Sequence, residues 1–166
     1  MRPRVEYLRA HLPLTDAMSA AFSMRYSDYA VNWRHNYIVS LTTLRATGHV
    51  LHKVDAVLYP EISNLVDEKF RRWKKGEGDD ALFKFFIEEE RNQLLKAYQF
   101  TSSDGLAFYE DELDSGKIDV IGEGFFKGSD IIAIIELSAK WWQTELTEIA
   151  EEISSESIER TEGNEI

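Results

Sequence analysis

A helical period of apolar residues runs through three long segments of this chain and leaves little room for a β-sheet. Apolar side chains recur every three or four positions from about Val31 to Leu58, from about Ala81 to Phe100 and from Ile131 to Ile153. This spacing is that of one buried face of an α-helix, whereas a half-buried strand alternates at every second residue. The pattern therefore predicts an all-α protein, an antiparallel bundle of roughly four to six helices.

Proline and capping residues set the ends of these segments. Thr15, which follows Pro13, predicts the start of a first helix, and Pro60 ends the second helix and begins another. Ser129 or Asp130 is placed to cap the last long helix. The helices are therefore predicted to be separate elements joined by short turns.

One stretch departs from the helical pattern. Residues 101–128 are rich in turn residues, so a small β-hairpin and a loop remain alternatives there. We expect a single helical-bundle domain over residues 1–153. Residues 154–166 are polar and acidic, and we expect them to form a flexible tail.

The composition excludes several classes of function. The chain contains no cysteine, which excludes disulfides, thiolate metal sites and cysteine nucleophiles. Its formal net charge of −11 argues against capture of nucleic acid or anionic membranes by charge alone. No apolar run approaches the roughly 18 residues of a membrane span, and the first residues lack a secretory signal. We therefore expect a soluble, cytoplasmic protein that has no contact with a membrane.

Two carboxylates interrupt the apolar faces of the long helices. Asp55 lies on the inner face of its segment, and Glu90 lies in the middle of the next long segment. Because an unpaired buried charge is costly, each acid needs a partner. The nearest polar candidates in sequence are Arg45, His49 and His52 for Asp55, and Arg91 and Asn92 for Glu90.

This polar cluster is the candidate functional site, and three interpretations fit it. A histidine beside a buried acid, such as His52 beside Asp55, suits general acid–base catalysis. The histidines together with Asp55 or a glutamate of residues 88–90 could instead hold a divalent metal, but this spacing is a weak metal signature. Alternatively, the cluster is a salt-bridge and hydrogen-bond network that fixes the register of the helices.

The stretch IEEERNQLLKAY resembles the signature helix of the HEPN superfamily of small helical-bundle domains. In the ribonucleases of that superfamily an arginine and a polar residue precede a histidine, and Arg91 and Asn92 match the first two positions. Lys96 stands where the histidine falls. Arg45 and His52 match the loosest spacing of the family. The resemblance implies a bundle that dimerises and places its polar motif residues near the dimer cleft.

Two functional hypotheses of different classes follow. The first, which the missing histidine favours, is a non-catalytic HEPN-like protein that acts through homodimerisation or a protein partner. The resemblance suggests a bacterial stress, defence or toxin–antitoxin setting for it. The second is a metal-independent ribonuclease in which His52 handles the proton of the attacking ribose hydroxyl while Arg45 and Arg91 stabilise the phosphorane charge. Glu90 or Asp55 would then orient the histidine. Neither hypothesis requires a cofactor.

Two further groups of side chains have mainly structural interpretations. The basic run from Lys69 to Lys75 is interpreted as a solvated helix end placed against the negative pole of the helix dipole. An aromatic set without interleaved basic residues is expected to pack in the core or at an interface rather than to stack on nucleobases. Its members are Trp33, Tyr37, Trp141 and Trp142.

Overall fold

Five helices make up most of the chain that the computed structural model describes, which comprises residues 8–26, 30–98 and 120–162. Helix α1 spans His11–Arg25. Helix α2 spans Ala30–Val50 and is continued by a π-helical turn at Leu51–Asp55 and a short end at Ala56–Leu58. Helix α3 spans Ser63–Trp73. Helix α4 consists of a π-helical segment, Leu82–Glu88, and an α-helical segment, Glu89–Ala97, and α5 spans Ile131–Glu162. The all-α helical bundle predicted from the sequence is confirmed.

The start of α1 differs from the prediction. The helix begins at His11, so Pro13 lies inside its first turn and Thr15 is an interior residue. Proline is tolerated there because the first turn of a helix has no intrahelical partner for its N–H groups. The capping signal at Thr15 was therefore misread, and its hydroxyl instead bonds back to the carbonyl of His11 at 2.9 Å.

The predicted boundaries at Pro60 and Asp130 agree with the structure. Pro60 opens a 3-10 turn, Pro60–Ile62, after Tyr59 has left the helical conformation. Asp130 caps α5, because its Oδ1 accepts hydrogen bonds from the backbone N–H of Ile132 at 2.8 Å and of Ala133 at 3.2 Å. Between α3 and α4 a short 3-10 turn, Gly78–Asp80, leads into the π-helical segment.

The core lies between α2, α3, the start of α4 and α5. Its centre is a cluster of aromatic rings in mutual contact, namely Phe70, Trp73, Phe83, Trp141 and Trp142. Gly48 of α2 makes room for this cluster, since a Cβ atom there would lie 3.0 Å from Cη2 of Trp142. The core assignment of Trp141 and Trp142 is confirmed, as both are buried.

Residues 120–130 form a turn that packs against α4. Val120 and Asp130 pair in an isolated antiparallel bridge, and the backbone N–H of Gly128 donates to the carbonyl of Ile121 at 2.7 Å. The hairpin turn considered around residues 114–116 lies outside the described residues. Within the described ranges no strand longer than this bridge forms.

Helix α5 continues past Ile153, where the sequence analysis ended it, to Glu162. The chain has no proline in this stretch and no glycine before Gly163, so nothing in the sequence stops the helix earlier. The last four residues of the expected tail lie outside the described part. None of the helices in the described residues has both the length and the apolar character that crossing a membrane requires.

Candidate functional site

Asp55 is fully buried, as predicted, but its partners are not the predicted ones. Its Oδ1 accepts a hydrogen bond from the backbone N–H of Arg9 at 2.8 Å, and its Oδ2 accepts one from Ala10 at 2.9 Å. The carboxylate thus holds the residues that lead into α1, where N–H groups lack helical partners. Burial raises the pKa of Asp55, and the two backbone hydrogen bonds oppose that shift.

His11 lies beside this carboxylate and was not singled out from the sequence. Burial lowers the pKa of its imidazole, and the charge of Asp55 opposes the shift. Its Nε2 is buried without a hydrogen-bond partner. No short-range signal links the two residues, because His11 and Asp55 belong to different helices. The neutral imidazole is the form that this site favours.

His52 pairs with an acid that the sequence analysis did not consider. Its Nε2 lies 2.9 Å from Oδ1 of Asp67 on α3, and its ring packs on Phe70 with centroids 5.2 Å apart. Both members of the pair are partly exposed. The prediction that Asp55 pairs with His49 or His52 is therefore wrong, and His49 is exposed on the surface of α2.

Arg45 and Arg91 lie on neighbouring faces of α2 and α4. Burial lowers the pKa of the half-buried Arg45 guanidinium, the charge of Glu88 opposes this, and the charge of Arg91 adds to it. Arg91 Nη1 donates to Oδ1 of the adjacent Asn92 at 3.0 Å. The two arginines are thus close enough for their charges to interact, and Arg45 is not the partner of Asp55.

Glu90 is buried, with 8% of its surface exposed, and its Oε1 accepts a hydrogen bond from the hydroxyl of Tyr37 at 2.7 Å. Burial raises the pKa of Tyr37 well above its usual value, and the charge of Glu90 raises it further. Sequence reasoning identified both side chains as inward but did not pair them. Glu90 also lines a cavity of about 200 Å³ between α4 and the turn at residues 121–126.

The six predicted site residues therefore do not form one cluster. Asp55 stabilises the start of α1, His52 pairs across to α3, and Glu90 bonds to Tyr37 inside the bundle. Arg45, Arg91 and Asn92 lie at the contact of α2 with α4. The shared cationic cluster predicted from the sequence does not form, and the structural-network interpretation describes Asp55 best.

A larger ionic network, which sequence reasoning missed, joins α3 to α5. Lys69 Nζ donates to Glu145 and to Glu148, each at 2.6 Å. Arg72 bonds Glu145 and donates to Asp80 at 2.9 Å. The interpretation of the whole basic run as a solvated helix end is wrong for Lys69, which is buried. The sequence did contain a signal for this network, because Glu145 lies about one helical turn after Trp142, on the inner face of α5.

The outer face of α1 carries an apolar groove against α5. This α1/α5 groove has a volume of about 350 Å³ and is lined by Met18, Ala21, Phe22, Glu136, Ala139, Lys140 and Gln143. Phe22 is 65% exposed and contacts Tyr26, which is 67% exposed, with ring centroids 4.6 Å apart and the ring planes tilted by 48°. Both rings point away from the buried face of α1, so neither contributes to the core of a single chain.

Within the described residues no group of three or more histidine and carboxylate side chains is arranged to hold a metal ion. No family model, no curated protein and no solved structure matches this chain.

Proposed function

We propose that this protein works by association, as a helical bundle that pairs with a second copy of itself through the α1/α5 groove. One observation carries the proposal, namely the large apolar side chains on the outward face of α1, where the exposed rings of Phe22 and Tyr26 contact each other beside an open groove. Exposed aromatic side chains next to an apolar pocket are typical of protein interfaces.

The charges at the rim of the groove support a second copy as the partner. Although the chain carries a net charge of −11, the rim holds both signs. Arg25 pairs with Glu136 through contacts of 2.8 and 3.2 Å, and Lys140 lines the groove. A two-fold interface at this face therefore avoids the repulsion that the acidic surface elsewhere creates.

A stable interface buries about 800 Å² and roughly 20–30 residues on each partner. The seven residues that line the groove are too few to form such an interface alone. The proposed contact therefore extends along α1 and α5, with Phe22 as the central anchor. The resemblance of residues 87–98 to HEPN domains favours a bundle that dimerises, but it does not predict this face, because neither Arg91 nor Asn92 lines the groove. Lys96 stands where the family has its histidine. We therefore propose that the protein is a non-catalytic HEPN-like protein that acts in a bacterial stress, defence or toxin–antitoxin setting.

Light scattering coupled to size-exclusion chromatography tests the proposal. The wild-type chain is expected to have the mass of two copies at roughly micromolar concentration, and Phe22→Asp is expected to weaken the dimer by about 30-fold or more, as for a central anchor. The matched control is Val57→Asp, at a side chain that is 71% exposed and outside the groove. A wild-type monomer, or equal effects of both variants, would contradict the proposal.

A second candidate is ribonuclease activity, which the partly exposed His52–Asp67 pair favours. A carboxylate 2.9 Å from the imidazole is an arrangement that can set its tautomer for proton transfer, and Asp67 would replace Asp55 and Glu90 in that role. This candidate requires Arg45 and Arg91, which lie at the contact of α2 with α4, to reach a phosphorane formed beside His52. Cleavage of single-stranded RNA that is lost in His52→Ala but kept in His49→Ala supports this candidate, whereas no cleavage by the wild type eliminates it.

A further inference from the structure

One wall of the α1/α5 groove carries a thioether. Met18 lines the groove together with Ala21 and Phe22 of α1, and 43% of its surface is exposed in the single chain. The side-chain Nε2 of Gln143 on α5 donates to Sδ of Met18 at 3.4 Å, a contact that holds the sulfur at the boundary between the two helices. The sulfur therefore lies on the surface of the proposed dimer contact.

Met24, further along the same helix, has the opposite surroundings. Only 2% of its surface is exposed, and Oγ of Ser40 lies 3.9 Å from its Sδ inside the bundle. The chain has no cysteine and three methionines, of which Met1 lies outside the described residues. Because oxidation of a methionine requires that the oxidant reach the sulfur, we expect Met18 to react before Met24.

Oxidation changes the polarity of this wall of the groove without changing its charge. A hydroperoxide delivers one oxygen atom to the thioether: the sulfur lone pair forms the S–O bond, the O–O bond breaks, and an alcohol leaves, or water when the oxidant is hydrogen peroxide. The sulfur loses two electrons and the peroxide gains them. The product, methionine sulfoxide, has a strong hydrogen-bond acceptor in place of the weak thioether acceptor.

We propose that Met18 is an oxidation site that controls the association of two copies, with a hydroperoxide as the oxidant. This inference rests on the proposed function. In the free chain water solvates the sulfoxide oxygen, whereas in the dimer this oxygen is buried beside apolar side chains such as Phe22 and Ala139. The amide of Gln143 offers the oxygen one hydrogen bond in either state and so does not remove the difference. Oxidation therefore favours the monomer, and thiol-dependent reduction of the sulfoxide restores the dimer.

Light scattering and peptide mapping of the full chain, before and after mild treatment with hydrogen peroxide, test the inference. We expect sulfoxide at Met18 before Met24, and a dimer dissociation constant that rises about tenfold or more once Met18 is oxidised. Methionine sulfoxide reductase with dithiothreitol is expected to restore the original constant. A wild-type dimer whose dissociation constant is unchanged when Met18 is fully oxidised would overturn this inference alone. A monomer before treatment would overturn the proposed function and this inference together.

Substitutions assign the effect to one sulfur. Met18→Leu keeps an apolar side chain of similar size and removes the sulfur, so its dimer is expected to withstand peroxide. Met24→Leu is the matched control on the same helix, and its dimer should still dissociate. Met18→Gln, which introduces a polar side chain of similar length, is expected to weaken the dimer roughly tenfold without peroxide. Dissociation of the Met18→Leu dimer by peroxide, or a Met24→Leu dimer that withstands it, would contradict the assignment to Met18.

Discussion

At the scale of single residues, a buried acid in this protein does not require a charged partner. Asp55 is fully buried and yet bonds only neutral backbone N–H groups among the contacts that the structure describes. Two such bonds, one to each oxygen, satisfy the carboxylate at the start of α1, where the helix dipole also favours a negative charge. The sequence predicted burial correctly but could not predict this partner, which lies 45 to 46 positions away along the chain.

We expect Asp55→Ala to lower the free energy of unfolding by about 2–4 kcal/mol, because it leaves the N–H groups of Arg9 and Ala10 without an acceptor in a buried site. Asp55→Asn retains one acceptor oxygen and should cost less. Urea denaturation of both variants measures the difference. Equal stability of Asp55→Ala and wild type would mean that water reaches the start of α1.

The neighbouring His11 makes stability depend on pH. Burial holds the pKa of the folded imidazole below its usual 6.5, so the unfolded chain binds a proton more readily than the folded chain. Stability contributed by neutral His11 is therefore present above pH 6.5 and is lost as the pH falls through that value toward the lower, folded pKa.

The corresponding variant is His11→Asn, which cannot take up this proton. Between about pH 7.5 and about pH 5 we expect wild type to lose more stability than His11→Asn. Melting temperatures at both pH values give the comparison, and His35→Asn, at an exposed histidine of α2, is the control. Parallel losses in wild type and His11→Asn would refute the proposed role of this imidazole.

At the scale of helices, the π-helical turn that continues α2 limits how far the helical period can be extended along that segment. Leu51–Asp55 and Leu82–Glu88 have wider turns than an α-helix, because their hydrogen bonds span five residues instead of four. Angular positions counted at 100° per residue therefore drift beyond this turn, and Leu58, which the period places on the inner face, is 50% exposed. The positions before that point were predicted correctly, since Tyr37, Leu41, Leu44 and Gly48 are all buried. His52 and Asp55 lie within the π-helical turn, and their predicted mutual orientation was wrong.

The contact of α2 with α5 depends on the absence of a side chain at Gly48. Its Cβ position lies 3.0 and 3.1 Å from two ring atoms of Trp142 and 3.3 Å from Phe70. Because Trp142 is fully buried, its ring cannot move aside. We expect Gly48→Ala to destabilise the protein by about 1–2 kcal/mol, although alanine is the better helix former by about 1 kcal/mol. A stabilised variant in thermal unfolding would show that the helices separate easily.

We expect removal of one charge from the ionic network between α3 and α5 to destabilise the protein more than removal of both charges. Glu145→Ala leaves Lys69 buried with only Glu148 beside it, and the expected loss is about 2–4 kcal/mol. The double variant Lys69→Met, Glu145→Leu removes both charges and fills the space, so we expect a smaller loss. Chemical denaturation decides between the two. A double variant less stable than Glu145→Ala would contradict this view of the network.

At the scale of the whole molecule, contacts between helices distant in sequence hold the buried acids, while the large side chains of Phe22 and Tyr26 stay exposed on the outer face of α1. The helical period predicted the fold class, and the caps at Pro60 and Asp130 predicted two of the helix starts. The partners of the buried acids could not be predicted, because each depends on how helices distant in sequence approach one another. The α1/α5 groove could not be predicted either. The exposure of Phe22 and Tyr26 can be recognised only when the structure shows which face of α1 is buried.

The most direct test of association through the α1/α5 groove is a distance between two copies. The chain contains no cysteine, so Ser19→Cys provides a single site for a spin label on the exposed face of α1, and Val57→Cys provides a comparison site outside the lining of the groove. Pulsed dipolar spectroscopy measures the separation of labels across a dimer. We predict a defined dipolar coupling at position 19 and a shorter distance there than at position 57. No coupling at position 19, or a shorter distance at position 57, would contradict the account.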